Sequence, residues 1–207
     1  MVKDGFMTVD GRTYGGLTAE QRSRERRQRL LDAARALIAE VGVAALTVDL
    51  VCQRATLSKR YFYTEFATKD DLLDVCADDL YARLHQAMTE VVQTAPMEIR
   101  VSQSIRATLD ILADPPDARL YMESPGFPRL RARQQQAVHE VTALMATSGL
   151  PFTGRPKPSI DRTLATRALV TATSELLIGW LQGDVDTDEG TLIATITATS
   201  LGAARNL

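Results

Sequence analysis

The stretch LTVDLVCQRATLSKRYFYTEFATKDDLL, Leu46 to Leu73, holds three helix starts in close succession. Thr47 precedes Val48, Val51 and Cys52, with Asp49 placed to meet the helix dipole, which predicts a short helix running to about Ala55. Ser58 can cap a second short helix. Its Phe62 and Phe66, four apart, share an inward face and leave Lys59, Arg60, Tyr61 and Thr64 to point elsewhere. Thr68-Lys-Asp-Asp71 then has capping-box spacing and opens a long helix through Leu72, Leu73, Val75, Cys76, Leu80, Leu84, Met88 and Val91, ending before Pro96. Two short helices joined at Thr56-Leu57 have the dimensions of a helix-turn-helix, whose second helix must be anchored on one face and offer donors on the other. Three short amphipathic helices also occur in domains that bind no DNA.

Upstream, Thr18-Ala-Glu-Gln21 is a second capping box, followed by an apolar stripe at Leu30, Ala34, Leu37, Ile38 and Val41 that stops at Gly42. Residues 1–17 contain Gly5, Gly11, Gly15 and Gly16 with no apolar periodicity and read as a flexible leader. The net charge of -2 conceals an uneven distribution: residues 1–70 carry 12 basic and 9 acidic side chains, the remainder 12 and 17. Arg22, Arg24, Arg26, Arg27 and Arg29 crowd the first helix against Glu25 alone. Such a cluster is either a polyanion-binding head or a solvated helix face.

Downstream, Pro115-Pro116, Pro125 to Pro128 and Gly149 to Pro158 punctuate helices expected near 97–113, 117–124, 128–148, 159–183 and 188–205. The last two differ from the others. Leu164, Ala165, Ala168, Leu169, Ala172, Leu176, Leu177, Trp180 and Leu181 cover more than one side of their helix, and residues 192–204 are rich in Ala, Thr, Ser and Gly. A helix apolar on more than one side must be buried on more than one side. One neighbour would be the rest of the subunit and the other a second copy, giving a four-helix homodimer interface through Leu169, Leu176, Leu177, Trp180, Ile193 and Ile196.

Composition narrows the class. With 207 residues, 45% hydrophobic and only 5% aromatic, the chain is long enough for a helical protein of one or two domains. Cys52 and Cys76 form no CxxC pair, which removes a disulfide framework and a cysteine zinc site. His139-Glu-Val-Thr-Ala143 lacks the second histidine of a zinc helix. No phosphate-binding glycine loop, nucleophile elbow or metal-ligand set appears, so neither catalysis nor a metal or other cofactor is expected. No run has the length and apolarity of a signal peptide or a membrane span, and a soluble, cytoplasmic protein follows.

The quoted stretch resembles the DNA-binding signature of the tetracycline-repressor (TetR) family of transcriptional regulators. Ala55, Ser58, Tyr63, Phe66, Thr68, Lys69, Leu72 and Leu73 stand at the family spacing. The resemblance implies an all-α fold: the leader 1–17, a three-helix helix-turn-helix domain over 18–66, and a helical ligand-binding and dimerisation domain over 67–207, with 67–95 as connecting helix. It assigns phosphate clamping to Tyr63 and Lys69, base reading to Arg60 and Tyr61, either role to Lys59, and backbone anchoring to Thr47 and Ser58. Two positions depart from the pattern. Thr56 stands where the family usually has Gly, so either the turn is re-formed or a left-handed Thr costs about 1 to 2 kcal/mol. Glu65 stands where His is frequent, and a carboxylate there would repel phosphate.

In the larger domain, Tyr81, His85, Met88, Tyr121, Met122, Phe127, Met145, Glu175 and Trp180 are the candidate walls of a ligand pocket, against core packing as the alternative. Glu175, in an apolar stripe, calls for a partner such as Arg167, an exposed seam or a cavity. The expected function is that of a one-component regulator. A homodimeric repressor would bind double-stranded operator DNA and release it when a small apolar or amphipathic effector enters the second domain. The alternatives are a ligand-responsive activator and a dimeric helical adaptor without DNA binding.

Overall fold

The computed structural model describes residues 18–149 and 161–206, and these are all-α. The leader expected over 1–17 and most of the break after Gly149 lie outside the described residues. The helices are α1 (Ala19–Ala45), α2 (Val48–Ala55), α3 (Lys59–Glu65), α4 (Lys69–Thr94), α5 (Arg100–Leu112), α6 (Pro115–Glu123), α7 (Pro128–Leu144), α8 (Arg162–Gln182) and α9 (Glu189–Asn206). Short 3₁₀ turns at Met97–Ile99 and Ser124–Gly126 join α4 to α5 and α6 to α7.

The helix starts are chemical. Thr18 and Gln21 exchange side-chain and backbone bonds at the head of α1, and Thr68 and Asp71 do the same at the head of α4. Thr47 Oγ1 accepts from the Leu50 amide at 3.2 Å. Ser58 occupies the cap position of α3, but its side chain makes no capping bond. Gly42 interrupts α1 as expected, with φ at 82°, and a further turn carries the helix to Ala45. Glu123 of α6 explains why that position stays glycine. Its carboxylate accepts from the Val43 amide at 2.8 Å, and a Cβ on Gly42 would come within 2.7 Å of it.

One hydrophobic cluster runs from Leu30 and Ile38 of α1, through Val51, Phe62 and Leu72, to Leu120, Leu177 and Ile196. The small N-terminal helices therefore share a core with the larger helical body. Across the same boundary, the buried Asp117 of α6 receives Arg35 of α1 at 2.8 Å and Arg83 of α4 at 2.8 Å. Both cysteines are free and buried, and burial pushes the Cys76 thiol up to about 12. No helix among the described residues is long and apolar enough to cross a membrane.

Candidate functional site

The helix-turn-helix is assembled by the arginines of α1. Thr56 keeps the left-handed conformation, φ 54° and ψ 48°, so the turn is not re-formed around it. The amides of Thr56 and Leu57 bond back to carbonyls of α2, and the Arg29 guanidinium donates to the carbonyls of Ala55 and Thr56. These bonds hold a conformation that a β-branched residue rarely adopts.

Glu65 is turned inward, not toward the outer face. Ser23 Oγ donates to its carboxylate at 2.7 Å, Arg26 approaches at 3.3 Å, and Arg27 donates to its backbone carbonyl at 3.0 Å. The Arg27 guanidinium also stacks 4.3 Å from the Phe66 ring centroid, and Arg26 lies 5.0 Å from that of Tyr61. Arg26, Arg27 and Arg29 thus bond to α3 and to the α2–α3 turn, so the cluster is not simply a solvated helix face. Arg24 pairs with Glu20 one turn away.

What remains outward is a compact polar surface. Phe62 is fully buried and Phe66 nearly so, which fixes α3 by one face. Ser58, Lys59, Arg60, Tyr61, Tyr63 and Thr64 are exposed, as is Thr47 at the head of α2. Lys69 is half-buried at the start of α4. Lys59 Nζ pairs with Asp49 at 2.6 Å, which raises its pKa, and both side chains remain largely in water. An exposed pair of this kind is worth little and yields readily to a phosphate. Of the seven expected contact residues, six are exposed and Lys69 is half-buried, and the acidic Glu65 side chain is turned away from solvent.

A second feature lies in the larger body. A cavity of about 120 Å³ opens among α4, α5, α6, α7, α8 and α9. Of the expected pocket residues, Tyr81, His85, Met88, Tyr121 and Met145 line it. Phe127 instead borders a separate cleft beside Asp74 and Arg129, and Met122 borders neither. Glu175 is exposed, where water removes its need of a partner. Trp180 is tied by its Nε1, which donates to the Thr187 carbonyl at 2.8 Å, and packs on the core.

The walls that sequence reasoning missed lie chiefly on α5, α7 and α8; on α5, Val101, Ser104, Ile105 and Thr108 recur at helical spacing. That periodicity was readable; its small hydroxyl residues on the apolar face were the available signal. Leu169, Leu177 and Ile196, expected at a dimer interface, also line the cavity, and Ile193 is buried in the subunit's own core. Leu176 is 40% exposed and Leu164 66%.

This arrangement is a helix-turn-helix head, its third helix anchored by aromatic rings, set on a helical body that holds a cavity. Residues 30–76 match the family model described as bacterial regulatory proteins, tetR family. That match takes in the end of α1, the helix-turn-helix and the start of α4, and leaves the larger helical body unmatched. HTH-type transcriptional regulators from Mycobacterium tuberculosis and Mycobacterium bovis, themselves described as uncharacterized, are 34% identical over 122 residues. The match takes in 56% of this chain and 56% of theirs, so the chain spans about half the length of those relatives. The fold is shared with a TetR-family regulator of Syntrophomonas wolfei, at TM-score 0.68 and 14% identity over 87% of this chain and 95% of that one. It is also shared with the fatty acid degradation regulator FadR of Bacillus halodurans, at TM-score 0.66 and 19% identity over 87% and 96%.

Proposed function

We propose that the chain is a one-component, sequence-specific DNA-binding transcriptional regulator, a repressor released by a small molecule. The observation that carries this reading is the α3 ridge: Arg60, Tyr61 and Tyr63 exposed over a face locked by Phe62 and Phe66. A recognition helix needs this combination, because its polar edge must enter the major groove without the helix rolling. Arg60 reads a guanine edge, Tyr61 a base edge or methyl, and Tyr63 and Lys69 clamp phosphates. Lys59 leaves Asp49 for either. Thr47 and Ser58 offer backbone amides at the helix heads.

On this reading residues 18–66 are the DNA-binding domain, and residues 67–207 hold the effector cavity and the dimer surface. The cavity among α4 to α9 is the effector site. A structural relative, the multidrug binding protein EbrR, was crystallised with imidazole. The homodimer forms through the outer face of α8, where Leu164, Ala168, Ala172 and Leu176 recur every fourth residue and are all exposed. Such a regulator works beside the chromosome, in the cytoplasm. The test is a mobility shift on the DNA upstream of the chain's own gene, at two salt concentrations. A specific shift that weakens with salt and with a stabilising small molecule is expected; binding equal on all sequences would overturn the reading.

A further inference from the structure

Among the described residues, Ser104 Oγ is the one fully buried side-chain polar atom of the cavity wall that has no hydrogen-bond partner. Several other hydroxyls of the wall are already bonded. The Tyr81 hydroxyl donates to Ser124 Oγ at 3.3 Å, Tyr121 Oη lies 2.7 Å from Ser174 Oγ, and Thr108 Oγ1 donates to the Ser104 carbonyl at 2.9 Å. The Ser104 hydroxyl has no partner among the protein's groups, although the residue is only 6% exposed and lines the cavity from α5. A buried hydroxyl left unpaired costs free energy that an entering partner recovers.

The surroundings of that hydroxyl select against charge. Among the described residues no Asp, Glu, Lys or Arg lines the cavity, and His85, half-buried, is its one imidazole. Burial pushes the Tyr121 hydroxyl up to about 12 despite its bond to Ser174, as expected of walls that solvate an ion poorly. Size sets a further limit. The volume is about 120 Å³, and an apolar protein cavity of roughly 150 Å³ holds one benzene ring.

Resting on the reading of this cavity as the effector site, we infer that its ligand is an uncharged, mainly apolar molecule of about one ring, bearing a hydroxyl or carbonyl that bonds to Ser104 Oγ. Met88 and Met145, flexible thioether side chains in the wall, let the cavity adjust around a substituent.

Four probes of one shape test this on the full chain by calorimetry and thermal shift: benzyl alcohol, toluene, benzoate and protonated benzylamine. Benzyl alcohol and toluene are expected to bind, benzyl alcohol more tightly, and the two ions at least tenfold more weakly than benzyl alcohol. Ser104→Ala should weaken benzyl alcohol about fivefold to tenfold and leave toluene within twofold. The variant's own melting temperature should be unchanged or raised, because the oxygen removed has no partner. Benzoate binding as well as benzyl alcohol would place His85 in charge of recognition and overturn the inference. Equal losses for toluene and benzyl alcohol in Ser104→Ala, or a lowered melting temperature, would remove Ser104 as the anchor. Failure of all four probes to bind would overturn the effector-site reading itself.

Discussion

Arg29 of α1 donates through Nη2 to the backbone carbonyl of Thr56, 3.3 Å away, and Thr56 is the one residue other than glycine with positive φ among those described. The guanidinium thus supports the strained corner between α2 and α3. Thr56→Gly removes a conformational cost of about 1 to 2 kcal/mol and adds about 0.5 to 1 kcal/mol of unfolded-state entropy. A net gain of about 0.5 to 1 kcal/mol is expected in urea denaturation. Arg29→Ala should lose about 1 to 2 kcal/mol by the same measurement, and less in the Thr56→Gly background, because the two act on one turn.

Reading and clamping should fail differently. Lys69→Ala should weaken specific and non-specific DNA alike and lower the salt slope by about one per subunit. Arg60→Ala should cost about 1 to 3 kcal/mol per half-site on the preferred sequence and much less on random DNA. Its relaxed positions should be related by the two-fold axis of the site and lie a whole number of helical turns apart. Competition binding against single-base variants checks both, and an equal loss for Arg60→Ala on every sequence would move that side chain to the backbone.

Adjacent leucines on α8 should part company. Leu176, 40% exposed on the outer stripe, is expected to yield a folded monomer with weak operator binding when changed to Glu. Leu177, 3% exposed in the core, should instead unfold or aggregate when changed to Glu, because a carboxylate there is buried without a partner. Sedimentation with far-ultraviolet circular dichroism separates the two. A Leu176→Glu protein that remains dimeric would move the interface elsewhere.

Asp117 should make stability depend on acid pH. Burial alone would push its carboxyl up, but the bonds from Arg83 and Arg35 outweigh that and hold it below the usual carboxylate range. A carboxyl depressed in the folded state contributes stability above its unfolded pKa, about 4, and loses it as pH falls through the folded value. Denaturation midpoints measured downward from pH 5 should therefore fall more steeply in the wild type than in Asp117→Asn. At neutral pH that variant should lose about 2 to 3 kcal/mol, less than a fully enclosed pair, because both guanidiniums keep a side in water.

Much of the fold is written in local chemistry. The caps at Thr18, Thr47 and Thr68 form from hydroxyls a few residues from the amides they meet, and the Phe62–Phe66 spacing needs only helical geometry to share a face. These features, and with them the exposed ridge of α3, follow from the sequence alone because each joins residues within one or two turns. The tertiary structure decided matters of longer range. Arg26, Arg27 and Arg29 look identical in sequence to a solvated basic face, and only the approach of α3 and the α2–α3 turn gives them partners. α8 is apolar nearly all round, so its periodicity does not distinguish Leu177, facing the cavity, from Leu176, facing out. Ser104 is one of many serines until α5 closes over the cavity and leaves its hydroxyl without a partner. Asp117 meets Arg35 only because α6 packs against α1 across more than eighty residues of chain, a pairing set by packing and invisible to any local pattern.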